Sequence, residues 1–72
     1  MSKTVLELKD IARAGGGLSL DSTKLSTLEL KEIGRAAKPS GATIIIRNAH
    51  SKTTLELKEI ARTSPGKIIF EL

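Results

Sequence analysis

One histidine, His50, and no cysteine stand in a chain of 72 residues. Disulfides, thiolate metal sites and thiol nucleophiles are excluded together. A metal site built on imidazole needs several ligands, and His50 stands alone, so it reads as a solvated loop residue. Serine and threonine are numerous, but the best placed of them precede helices, where their hydroxyls serve as caps. The expectation is a non-enzymatic chain with no metal, no cofactor and no small-molecule substrate. Binding chemistry remains. Lys24, Arg47, His50 and Lys52 gather where strands are expected to end and helices to begin. Helix N-termini carry unpaired N–H groups and partial positive charge, so this edge is a candidate anion site. Two observations weigh against it. The caps already occupy those amides, and no Gly-rich phosphate loop precedes a helix. Nucleic acid is disfavoured further: a single Phe, without Trp or Tyr, gives no stacking platform, and no helix is densely basic.

The elements that must position these residues come from an internal repeat. Val5-Leu6-Glu7-Leu8-Lys9-Asp10-Ile11-Ala12-Arg13 recurs as Thr27-Leu28-Glu29-Leu30-Lys31-Glu32-Ile33-Gly34-Arg35. It recurs again as Thr54-Leu55-Glu56-Leu57-Lys58-Glu59-Ile60-Ala61-Arg62, at offsets of 22 and 27 residues. A Gly/Pro break and a short apolar run follow each copy. Such periodicity is the mark of stacked repeat units.

Thr4, Ser26 and Thr53 each stand three residues before a glutamate: Glu7, Glu29 and Glu56. This is the capping box, in which the hydroxyl accepts from a first-turn N–H and the glutamate accepts from the cap's own N–H. Apolar residues then fall four, seven and eight positions on: Leu8, Ile11, Ala12; Leu30, Ile33, Gly34; Leu57, Ile60, Ala61. That spacing makes one buried stripe per helix. Asp10–Arg13, Glu32–Arg35 and Glu59–Arg62 are expected to pair on the wet face. Leu6, Leu28 and Leu55 fall among those charges. They are expected to pack on a neighbouring unit or the preceding loop through a tilted first turn. The alternative is a protein contact made by the helical face.

The runs after the breaks predict strands at about 18–21, 43–47 and 67–71. Helix–break–strand, three times over, gives a three-stranded parallel sheet with its helices on one face, a short α/β solenoid. The chain reads as one domain, 1–72, in units of about 1–23, 24–48 and 49–72. Leu18, Leu20, Ile44, Ile46, Ile68 and Phe70 should face the helices. Asp21, Arg47 and Glu71 should fall in one rung on the other side, acidic against basic against acidic.

Leu18-x-Leu20-x-x-Thr23-x-Leu25, followed by Ser26-x-x-Glu29-Leu30-x-x-Ile33, resembles one leucine-rich repeat of the helix-containing type. Ile44-x-Ile46-Arg47-Asn48-Ala49 resembles the start of the next, and Ile68-x-Phe70-x-Leu72 that of a third. The resemblance implies that the open sheet face binds protein. Carried onto this sequence, that face is Ser19, Asp21, Thr43, Ile45, Arg47, Lys67, Ile69 and Glu71.

Charge adds little to the choice of partner. The net charge is +4, and each of the three repeat segments is neutral. The excess therefore lies between them, a balance that serves solubility and only weakly favours acidic partners. The longest apolar run, Ile44-Ile45-Ile46, is far too short to span a membrane. With no export signal after Met1, a cytoplasmic location is expected. The expected function is protein–protein interaction, including self-association as a homo-oligomer. The second expectation is the anion site at Lys24, Arg47, His50 and Lys52.

Overall fold

A computed structural model describes residues 3–72. Met1 and Ser2, at the start of the expected first unit, lie outside the described residues. Three helices alternate with three strands: α1 (Val5–Arg13), β1 (Leu18–Asp21), α2 (Thr27–Ala37), β2 (Ile44–Arg47), α3 (Thr54–Thr63) and β3 (Ile68–Phe70). Short 3-10 turns at Lys38–Ser40 and Ala49–Ser51 complete the path.

All three helices begin where the hydroxyl–glutamate spacing predicts. In α1 the Glu7 N–H donates to Thr4 Oγ1 (3.2 Å) and the Thr4 N–H donates to Glu7 Oε1 (2.9 Å). Ser26 with Glu29 and Thr53 with Glu56 repeat both bonds. Each box satisfies amides that the helix geometry leaves without partners. The end of α1 is equally specific. Gly16 N–H donates to Ile11 O and Gly15 N–H to Ala12 O, both at 3.0 Å, while Gly15 takes φ 93°. That is a Schellman closure, and a side chain at residue 15 would be strained in it.

The sheet order is β1-β2-β3, with both pairs parallel. Leu18, Ile44 and Ile68 share one rung, and Leu20, Ile46 and Phe70 share another. Period-two alternation sends both rungs to one side. There they join Leu8, Ala12, Leu30, Ile33 and Ile60 of the helices in a single core. The helices therefore cover one face of the sheet only. The molecule is 17 Å thin across its shortest axis, the depth of one helix layer on one sheet.

β1 spans the expected residues, whereas β2 begins one residue later than the apolar pattern suggests and β3 is shorter at both ends, stopping at Phe70. Glu71 lies just beyond it, yet stays in register: its N–H donates to Ile46 O, and its carbonyl accepts from Ala49 N–H, both at 2.9 Å. Of the three expected charge pairs within helices, only Asp10–Arg13 forms, at 3.1 Å. Glu59 turns instead to Lys31 of the neighbouring helix, at 3.7 Å. Ile11 departs from its stripe. Ile33 and Ile60 are 0% exposed, whereas Ile11 is 37% exposed. At 100° per residue this isoleucine lies on the opposite side of the stripe from Ala12 and its counterpart Gly34. Gly34 faces Thr63 of α3. The isoleucine side therefore faces the preceding helix, and among the described residues none precedes α1.

Candidate interaction surfaces

The sheet face away from the helices is built by the alternate residues of each strand. Ser19, Ile45 and Ile69 are register partners, as are Asp21 and Arg47. Ser19, Thr43, Arg47, Lys67 and Glu71 are exposed, Asp21 and Ile45 are half-buried, and Ile69 is 50% exposed. The eight residues expected on this face thus lie along it, with two isoleucines side by side at its middle. Parallel sheets are normally covered on both faces, so apolar side chains left open here are unusual.

Among the described residues the expected rung forms no cross-strand ion pair, and its Asp21 is employed otherwise. The Asp21 carboxylate accepts from the Thr23 hydroxyl (2.7 Å), the Thr23 N–H (2.9 Å) and Asn48 Nδ2 (3.2 Å). The Thr23 hydroxyl, then its N–H, then the Asn48 amide hold the Asp21 carboxyl down at about 2, against an ordinary 3.8. Arg47, its register partner, stays exposed and makes no ion pair among the described residues. An Asx-type turn has captured the acid locally, because Thr23 is only two residues away.

The candidate anion edge disperses for a related reason. Lys52 Nζ donates to the Leu25 carbonyl at 3.1 Å, bracing one strand-to-helix connection against another. Ser22, 1% exposed, donates to Asn48 O at 2.6 Å and lies 3.0 Å from the Ser51 hydroxyl. Asn48 takes φ 57°, a left-handed turn that asparagine tolerates. Lys24, Arg47 and His50 are exposed around these turns. The polar groups here mostly satisfy one another, and the helix amides are held by their caps.

The helix layer carries a surface that sequence reasoning placed wrongly. Leu6, Leu28 and Leu55 are 64%, 61% and 61% exposed. They do not pack on a neighbouring unit or loop. Each sits two residues past a cap and about 200° from the buried Leu8, Leu30 or half-buried Leu57, so no first-turn tilt brings it down. Since α2 packs on both α1 and α3, the three leucines form a row across the layer. The grooves between helices are lined by Lys9, Arg13 and Arg35 on one side, and by Arg35, Lys38 and Arg62 on the other. Sequence reasoning named Arg13, Arg35 and Arg62 only as ion-pair partners on the wet face, not as groove residues. Their last-turn positions gave the only signal, and there a cation complements the helix dipole.

Among the described residues no three His, Cys, Asp or Glu side chains gather as a metal site, and no helix is long and apolar enough to cross a membrane. Compared with family models, with curated proteins and with solved structures, the chain matches none.

Proposed function

We propose that this chain is a small, non-enzymatic α/β repeat protein, a short solenoid similar in plan to leucine-rich repeats. Its work is protein–protein interaction, with a second copy of itself as partner. The observation that carries this reading is a parallel sheet that, among the described residues, has one face uncovered and both outer strands unpaired at their outer edges. Open strands offer backbone donors and acceptors that another strand can take up. A chain of 72 residues also buries a smaller share of its surface than a larger domain, so association adds stability where the core is thin.

Solution mass by light scattering tests the reading, across a hundredfold range of concentration and at two salt levels. Mass above that of one chain, rising with concentration and little changed by salt, is the expected result. A single-chain mass at every concentration would remove self-association from the proposal. Binding driven by charge on a polyanion would instead fall steeply with salt.

A further inference from the structure

The internal interfaces of this chain describe what would cover its two outer sides. Across α2 and α3, three contacts stand at equivalent positions of the repeated segment. The Thr27 hydroxyl donates to Glu56 Oε2 at 3.0 Å. Lys31 meets Glu59 at 3.7 Å. Gly34 lies against Thr63, so closely that a Cβ on the glycine would collide with the threonine hydroxyl. In each pair the first residue lies on the forward side of its helix and the second on the rear side of the next.

The repeat carries those positions to the ends of the molecule. The forward side of α3 presents Thr54, Lys58 and Ala61, at the positions of Thr27, Lys31 and Gly34. The rear side of α1 presents Glu7, Asp10 and Ala14, at the positions of Glu56, Glu59 and Thr63 once the repeats are aligned. Hydroxyl meets carboxylate, ammonium meets carboxylate, and alanine meets alanine. Glu7 uses Oε1 in its capping box, as Glu56 does, which leaves Oε2 for the hydroxyl. Ile11 stands on the same rear side, 37% exposed where its counterparts are 0%. Below the helices, β3 offers the matching edge. Lys67 O and Glu71 N–H bond to β2, so by alternation the backbone groups of Ile68 and Phe70 point outward. Both of their side chains stay half-buried, whereas Ile44 and Ile46 in the central strand are 1% and 0% exposed.

We infer that the second copy docks end to end, the α3–β3 side of one chain taking the α1–β1 side of the next, so that sheet and helix layer run on without a break. This rests on the self-association proposed above and names its contact. The interface is heterologous, so it continues into a ring or filament rather than closing as a twofold dimer. The Ser19–Ile45–Ile69 face stays open and lengthens with each added copy. One feature opposes the junction: by register Glu71 would stand beside Asp21 of the next chain, where within the chain Arg47 stands beside Asp21.

Sedimentation of the full chain, with circular dichroism to verify folding, tests the arrangement. Ile11→Glu blocks the rear side and Ala61→Glu the forward side, and each alone should weaken association at least tenfold. Mixed in equal amounts, the two variants retain one intact junction and should stop at a heterodimer. Glu71→Arg should tighten association severalfold. Should Ile11→Glu unfold the chain, the exposed Asp10→Lys and Lys58→Glu variants serve instead, each weakening association alone and restoring it when combined in one chain. A wild-type chain that stays single at all concentrations overturns the self-association reading itself. An assembly that survives the end variants but is lost in Ile45→Asp with Ile69→Asp overturns only the end-to-end contact, in favour of face packing.

Discussion

Gly34 and Thr63 are locked together across α2 and α3. A Cβ built on Gly34 would lie on Thr63 Oγ1 and 3.0 Å from Thr63 Cβ, and Thr63 is itself held by its hydroxyl, which donates to Ile60 O at 2.6 Å. A glycine in mid-helix costs about 1 kcal/mol against alanine. It stands here because the threonine needs the space. Gly34→Ala should therefore destabilise the fold by about 1–3 kcal/mol despite the better helix former. Gly34→Ala with Thr63→Ala together restores the alanines found at the corresponding positions 12 and 36. The double variant should lose less than the sum of the single ones, measured as a urea-denaturation cycle. Strict additivity would mean the two side chains are not coupled.

Leu28 and Leu30 sit two residues apart on one helix and should respond very differently. Leu28 is 61% exposed and Leu30 is 1% exposed. Leu28→Gln should change stability by no more than about 0.5 kcal/mol, as surface substitutions do. Leu30→Ala should cost about 2–5 kcal/mol, through lost burial and the cavity it leaves. Equal losses in thermal denaturation would mean that the leucine row packs after all.

Asp21 sets a direction for acid stability. Its carboxyl is held at about 2 in the fold against an ordinary 3.8. A depressed carboxyl binds its proton more readily when unfolded. Its stabilisation is complete above about pH 4 and is lost as pH falls towards 2. Glu7 and Glu56, lowered chiefly by the cap backbone N–H of Thr4 and Thr53, act in the same direction. Asp21→Asn should flatten the dependence of stability on pH between about 4 and 2, followed by denaturant midpoints across that range. An unchanged slope would mean that the Thr23 and Asn48 bonds do not hold in solution.

Ser64 follows α3 at 2% exposure, and its hydroxyl has no hydrogen-bond partner among the described residues. An orphaned buried hydroxyl carries an uncompensated desolvation cost of about 1–3 kcal/mol. Ser64→Ala should leave stability unchanged or raise it by about 1 kcal/mol, read from the urea midpoint. A loss of that size would reveal a partner for the hydroxyl.

The sequence by itself determined the helices, the strands and their order. Thr4, Ser26 and Thr53 each stand three residues before a glutamate, and capping is a local bond between near neighbours, so the helix starts follow without any tertiary context. The β-branched runs and the alternation of Leu18, Leu20, Ile44 and Ile46 against Ser19 and Ile45 likewise fixed which strand face is buried, because side chains alternate with a period of two. Tertiary structure decided what depends on neighbours. Identical isoleucines differ in exposure because, among the described residues, only Ile33 and Ile60 have a preceding helix beside them. Asp21 turned to Thr23 and Asn48 instead of Arg47, Glu59 turned to Lys31 instead of Arg62, and Leu6, Leu28 and Leu55 stayed in the open. A repeated local pattern states what each unit offers, and only the packing of one unit on the next determines which of those offers are taken.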